Sequence, residues 1–405
     1  MSVFLFRSLA LLSLLLGASS VWAQGKFGET NILQLPKGYE RSGVIIDDVD
    51  GDGQHDIIVA IAEDVPKARA ELRVHLHKPN GGGFSGAPDY SFKLPADVIG
   101  FSVGDLAEDE GREILVVSAK TALVWRPRQS GKERFRRVAT INLLWQLPRL
   151  TDVLALPKLV RDLNGDRLDD LLIPEPGGYR VLLQERAGAQ TSFKAQAPLV
   201  VDPDQSRAYT GGGNIRKGFS INIPISREMK DSNSLVSRRT LIALNETVPV
   251  PWVVDFDGDR DLDIIARGPE KLFVFLQGAG GQFSSSPDLT LTTPLVADRS
   301  RAVDISYSSH FLDLDGDRLC DCVTLGGDQD ADKARTQVLT YLQKRGRGDT
   351  AKSKAAPLFG PKGLPQQLIL LLGFAGQTHF SDVDGDGRPD LVVATLRPDL
   401  IDILG

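Results

Sequence analysis

The carboxylates of this chain gather into short clusters with a fixed internal spacing, D-x-D-G-D-x-x-x-D, and an apolar run on each side. The copies are Asp48-Val-Asp50-Gly-Asp52-Gly-Gln54-His-Asp56, Asp162-Leu-Asn164-Gly-Asp166-Arg-Leu168-Asp-Asp170 and Asp255-Phe-Asp257-Gly-Asp259-Arg-Asp261-Leu-Asp263. Two more are Asp313-Leu-Asp315-Gly-Asp317-Arg-Leu319-Cys-Asp321 and Asp382-Val-Asp384-Gly-Asp386-Gly-Arg388-Pro-Asp390. A sixth, Asp105-Leu-Ala107-Glu108-Asp109-Glu-Gly-Arg-Glu113, keeps the register but has alanine at the third position. Oxygen donors at this density suit a hard cation, and calcium takes six to eight of them. Positions 1, 3 and 5 would turn acidic oxygens inward. Position 7 (Gln54, Leu168, Asp261, Leu319, Arg388) would offer its carbonyl, and the acid at position 9 would close the cage. Glycine at position 4 lets the backbone fold tightly round the ion. Asp-Gly clusters also make ordinary turns, but a turn needs one or two such residues, not four carboxylates in nine. About five structural Ca2+ ions are therefore expected, with loop 105–113 weak or empty.

The formal net charge is −6, or −7 without Arg7, and five divalent ions would bring the chain to +3. The acidity thus belongs to the metal-free chain, and it argues against a nucleic-acid partner. Acid at position 9 between strands, rather than Glu at position 12 between helices, excludes an EF-hand.

Elements that could position such loops are legible on both sides. Gly43–Ile46, Pro251–Val254 and His379–Ser381 precede loops, and Ile57–Ala60, Leu171–Ile173, Ile264–Ala266 and Leu391–Ala394 follow them; all read as short buried strands. Two positions before the first Asp stands Ile46, Val103, Val160, Val253, Phe311 or Phe380, which marks a core-facing side. A third strand follows (Leu72–Leu76, Tyr179–Leu183, Lys271–Leu276, Thr336–Leu342), then a fourth (Tyr90–Leu94, Val138–Ile141, Leu289–Thr292). Loops begin at 48, 105, 162, 255, 313 and 382, a spacing of 57 to 93 residues. Four strands per unit predict an all-β fold: a β-propeller of six recognisable four-stranded blades, six or seven in total. Only 15 residues follow Asp390, so the last blade is short of a strand, and Glu29–Leu35 is expected to supply it and close the ring.

These loops and strands resemble the FG-GAP/VCBS-type repeat family, the calcium-loop propeller repeats also seen in integrin α-chain heads. The resemblance spans roughly residues 25–405 and implies a cell-adhesion or other binding role, although no Gly-Ala-Pro tripeptide follows the later strands.

Residues 1–23 have the layout of a cleaved leader: Arg7, the apolar run Ser8–Gly17, then Val21-Trp22-Ala23. Residues 24–405 are read as the propeller, with 203–246 as an insertion within it. The insertion carries Arg227, Lys230, Arg238 and Arg239 and is expected to form a hairpin flap. No segment has the roughly 20 uninterrupted apolar residues of a membrane span. The chain is thus expected to be secreted: extracellular, periplasmic or associated with the cell surface. Cys320 and Cys322 are too close in sequence for an unstrained disulfide and read as small hydrophobes. His310 and His379 hold equivalent places before their loops and read as packing residues, while His75 and His77 read as lying on an exposed strand. Arg347-Gly-Asp349, Asp304–Ser308 and the Asn245-Glu-Thr247 sequon match short motifs of little weight. No nucleophile elbow, zinc triad or phosphate loop is present. The leading expectation is a module that binds an extracellular protein or glycan; the alternative is a hydrolase or lyase of extracellular polysaccharide. Oligomeric state is not legible.

Overall fold

A computed structural model describes residues 33–396 except 34, 64–68, 79–82, 109, 130–133, 144–152, 157–158, 189, 202–203, 210–218, 227–240, 249–250, 268–270, 293–307, 328–334 and 345–364. For 204–248, it describes the strand backbones alone. The leader, the proposed closing strand up to Ile32, the four insertion cations, Arg347–Asp349 and the tail beyond Leu396 lie outside the described residues. No described helix is long and apolar enough to cross a membrane.

The fold is all-β, built from small antiparallel sheets in which sequence neighbours pair. The first sheet runs Tyr39–Asp47, Asp56–Glu63, Ala70–His75, Tyr90–Leu94. The second runs Val98–Gly104, Glu113–Ser118, Thr121–Trp125, Phe135–Thr140, with Leu154–Ala155 added in parallel to its first strand. The third runs Val160–Arg161, Asp170–Glu175, Gly178–Ala187, Gln190–Ala195, with Leu199–Val200 paired to its third strand. The fourth (Trp252–Val254, Asp263–Arg267, Lys271–Phe275, Leu289–Thr292) and fifth (Ser308–Leu312, Asp321–Gly327, Arg335–Tyr341, Gln367–Leu372) repeat the plan. The sixth shows two strands among the described residues, Phe374–Ser381 and Asp390–Leu396. In each of these six sheets the repeated loop joins the first strand to the second.

The wide step between the third and fourth loops is filled by a separate sheet. Asp204–Tyr209 and Phe219–Ser226 flank Leu241–Val248, giving three strands where a two-stranded flap was expected. The chain ahead of the apolar run 215–225 also pairs, which hydrophobicity alone did not mark.

Consecutive sheets share cores face to face. Ile58 and Leu72 of the first sheet meet Phe101, Val116 and Trp125 of the second. The other face of the second (Leu115, Val117, Val124) meets Leu171, Ile173 and Leu182 of the third. Tyr179, Val181 and Leu183 meet Ile264, Ala266 and Phe275 of the fourth. Ile265 and Val274 meet Phe311, Cys322 and Tyr341 of the fifth, whose Val323, Leu325 and Val338 meet Phe380, Leu391 and Val393 of the sixth. A second strand such as Glu113–Ser118 or Asp170–Glu175 is therefore buried along its whole length. Outer strands such as Tyr90–Leu94 alternate with solvent.

The position two before each loop faces the preceding sheet: Val103, Val160 and Phe311 are buried there, and Val253 and Phe380 pack against the same cores. Ile46 departs from this expectation at 63% exposed, because no described sheet precedes the first. Cys320 and Cys322 are free and buried, as expected of small hydrophobes. His310 packs on Phe380 with ring centroids 5.0 Å apart. His75 is buried, with Nδ1 3.1 Å from the Ser85 carbonyl, because Ser85 folds back over it; the exposed-strand reading fails for this residue.

Neighbouring loops also touch. Arg112 donates its backbone amide to the Val49 carbonyl (3.0 Å), and Gly111, at φ +94°, lies so close that a Cβ there would stand 2.4 Å from the same oxygen. Gly385 has a similar φ of +80° but open space around it. Gly385→Ala should therefore cost only the left-handed penalty of about 1–2 kcal/mol. Gly111→Ala adds a backbone clash and should cost roughly 1–3 kcal/mol more. Urea denaturation of the two variants checks this, and equal losses would contradict the loop packing.

Candidate metal centres

Each loop is shaped by carboxylates accepting backbone amides. In the third loop Asp162 takes the amides of Gly165 (Oδ1, 2.8 Å) and Arg167 (Oδ2, 2.9 Å). Asp255 does the same for Gly258 and Arg260, Asp313 for Gly316 and Arg318, Asp382 for Gly385 and Gly387, and Asp48 for Gly51 and Gly53. Position 3 accepts from the amide of position 5 (Asp50, Asn164, Asp257, Asp315, Asp384), and position 5 from that of position 7 (Asp52, Asp166, Asp259, Asp317, Asp386). Positions 4 and 6 both take positive φ, as at Gly165 (76°) and Arg167 (70°).

The ninth position has the deepest acid. Asp56, Asp170, Asp263 and Asp321 are at most 1% exposed. Each accepts the amide of position 2 on Oδ2: Val49, Leu163, Phe256 and Leu314 at 2.8–3.0 Å. Each accepts a second amide on Oδ1, from the third strand or the two residues beyond it: His77, Gln184, Gln277 and Gln343 at 2.7–2.8 Å. Asp390 of the sixth loop takes the Val383 amide at 2.9 Å.

These residues bring carboxylates together. Asp48, Asp50 and Asp56 converge, as do Asp313, Asp315 and Asp321, Asp382, Asp384 and Asp390, and Asp255, Asp257 and Asp259, with oxygens within 4.8 Å of one another in each set. Three of these sets use positions 1, 3 and 9; the Asp255 set uses 1, 3 and 5. In the third loop Asn164 instead donates its side-chain amide to Asp166 Oδ2 (3.0 Å). A carboxylate oxygen that accepts one amide retains a second lone pair, so the donor set fits a hard divalent cation. Gln54, Leu168, Asp261, Leu319 and Arg388 enter the described network through their amides.

Crowding of acids raises the cost of ionisation. Burial pushes Asp263 up to about 7 and Asp170 and Asp321 up to about 6, against the amides that favour the anion. Asp257 is also raised, by burial first and by the Asp259 charge second.

Sequence reasoning missed the side chains that tie one loop to the next sheet. Gln184 donates Nε2 to the Asp105 carbonyl (3.1 Å), and Gln277 to that of Leu163 (2.6 Å). The signal was present as Leu-Gln in or just after the third strand, at 183–184, 276–277 and 342–343. Arg112 spans three sheets, reaching Asp47 (3.0 Å) and Asp169 (2.9 Å), and the Asp105 amide donates to the same Asp169 oxygen (2.8 Å).

Residues 255–324, which include the fourth and fifth loops, match the FG-GAP-like repeat family. In overall shape the chain is similar to an Agrocybe aegerita lectin described as recognising non-reducing terminal N-acetylglucosamine, at 16% identity and TM-score 0.42, over 88% of this chain and 74% of that one. No curated protein matches the chain.

The raised acids set a pH dependence. With folded values of about 6 to 7 and ordinary values of 3.8, the folded metal-free chain holds protons that the unfolded chain releases. That stability is complete below the unfolded value and is lost as pH rises through 6 to 7. Calcium-stripped protein should be more stable at pH 5.5 than at 7.5, by about 1 kcal/mol for each of these three acids. Calcium should close the gap, since it competes with the protons. Scanning calorimetry at both pH values reads this, and a metal-free melting point that climbs with pH would contradict it.

Proposed function

We propose that this chain is a secreted calcium-binding β-propeller, six sheets closed into a ring, which binds an extracellular protein or glycan and uses calcium structurally. The observation that carries the reading is the convergence of three carboxylates in loop after loop, at one equivalent edge of each sheet. Such sets repel one another unless a cation joins them, and the FG-GAP-like match over the fourth and fifth loops agrees with this use. Calcium, if bound there, supplies charge neutralisation and cross-links strand to loop. The protein supplies Asp48, Asp50 and Asp56, Asp162, Asn164, Asp166 and Asp170, and their counterparts in the other loops.

Ring closure is supported by the apolar faces that the described residues leave exposed at the two ends of the array. Position 2 of each loop faces the following sheet, as Val49, Leu106, Leu163 and Phe256 do, all buried. Val383, the same position in the last loop, is 68% exposed, and Ile46 of the first sheet is its counterpart on the opposite side. Each is the face that the other needs. A cysteine pair replacing Ile46 and Val383 should oxidise within one chain. Disulfide-linked dimers with no intramolecular product would instead indicate head-to-tail association of copies.

A binding role is preferred to polysaccharide cleavage because the loop acids are already engaged by backbone amides. Native mass spectrometry in millimolar calcium should find about five ions per chain. Sites of ~10⁻⁴–10⁻³ M affinity would stabilise by roughly 0.4–1.4 kcal/mol each at that concentration. Two ions or fewer would overturn the loop reading. A glycan array with parallel turnover assays addresses the rest: retention without cleavage is expected, and cleavage of any polysaccharide would favour the enzyme.

A further inference from the structure

The second loop has the register of the others but not their chemistry. Ala107 stands where the others have Asp or Asn, and Glu108 stands where the others have glycine. Its ninth residue, Glu113, still accepts the position 2 amide, that of Leu106, at 2.8 Å. The loop therefore keeps its frame. What fills it is a guanidinium from the neighbouring sheet: Arg186 Nη2 donates to Asp105 Oδ1 and to the Ala107 carbonyl, both at 2.5 Å. Asp105 is the position 1 acid and Ala107 the position 3 residue, so the cation neutralises the first acid and is held by the backbone of the third position. Arg186 lies two residues beyond Gln184, whose amide reaches the buried acid of its own loop and whose side chain reaches the Asp105 carbonyl.

In the second sheet a similar place, one residue out of register with Arg186, is held by Arg128, three residues beyond Trp125 at the end of the third strand. It reaches back to the first loop, donating to the Asp50 carbonyl and lying 3.6 Å from Asp50 Oδ2. Asp50 is again position 3, but here Asp48 and Asp56 complete a three-carboxylate set. In the fourth sheet the corresponding residue is Ala279, which brings no charge to the third loop.

We infer that an arginine at or just past the end of the third strand acts as an internal cation for the loop of the preceding sheet. Arg186 takes the ion's place in loop 105–113, and Arg128 competes with calcium for Asp50 in loop 48–56. The Arg128 half rests on the calcium reading above; the Arg186 half does not. An arginine fixed in the chain costs no binding equilibrium and holds its loop at any calcium concentration. One competing for a carboxylate weakens the ion's hold, because the guanidinium must be displaced first.

The test uses the full chain with calcium alone as the probe. In calcium-free buffer Arg186→Gln should lower the melting point by several degrees, Arg186→Lys should recover part of the loss, and Asp257→Ala should lose less than Arg186→Gln. A melting point for Arg186→Gln equal to wild type would overturn the assignment. In calorimetric titrations Arg128→Gln should tighten one site at least threefold, and the gain should vanish when Asp50→Asn is added. An unchanged isotherm for Arg128→Gln beside a wild type that binds calcium would overturn the competition. A wild type that binds no calcium would sink the calcium reading, while the Arg186 arm, read without metal, would still stand or fall by itself.

Discussion

At the ninth position of the loops a carboxylate is withdrawn from water, and everything around it is arranged to satisfy it. Asp56, Asp170, Asp263 and Asp321 each take one amide from the second residue of their own loop and one from the end of the third strand. Burying a charge without partners is prohibitive, so those two amides must be delivered to fixed places. That requirement fixes the length of the loop and the start of the second strand. The recurrence in the second loop of the bond to position 2, with Glu113 in place of Asp, shows that the frame does not depend on the metal-ligand acids. Those acids are an addition to a scaffold already held by hydrogen bonds.

The addition creates a charge problem that the fold meets in two ways. Where three carboxylates converge, as at Asp313, Asp315 and Asp321, the oxygens are near enough for one divalent cation to join them. Between the first three sheets, arginines are also interleaved: Arg112 with Asp47 and Asp169, Arg186 with Asp105, Arg128 with Asp50. Both devices lie on the loop edge of the stack, while the sheet faces are joined by apolar contact. Sheet-on-sheet packing supplies the bulk attraction, which is non-directional in its hydrophobic part. The polar edge supplies the directional bonds that select one arrangement.

Much of this was legible in the sequence. The loop period, the flanking strands and the buried cysteines followed from spacing and residue type, because strands buried on both faces read as unbroken apolar runs. What escaped were relations between one repeat and the next. Ile46 has the same apolar character as Val103, yet it is exposed where no described sheet covers it. His75 was read as exposed from its alternation with His77, yet Ser85 covers it. Gln184 and Gln277 look like ordinary strand-end polar residues until their amides are seen to bridge two sheets. Arg186 was invisible as a loop residue because it lies 81 residues from the aspartate it serves.

Position 6 shows how a backbone requirement can hide behind an unlikely residue. Gly53 and Gly387 occupy it in two loops, at φ 84° and 83°, but Arg167, Arg260 and Arg318 adopt the same left-handed conformation at 70–80°. For a residue with a Cβ that conformation costs roughly 1–2 kcal/mol. It is enforced because the position 6 amide is one of the two that hold the first aspartate, at 2.9–3.0 Å in these three loops. Without it, one oxygen of that aspartate would lose its donor and the turn after glycine would open. Glycine would relieve the strain but would release more conformational entropy to the unfolded chain, which offsets much of the gain. The near balance of these two effects is why glycine and arginine alternate at a site where the backbone itself does not vary.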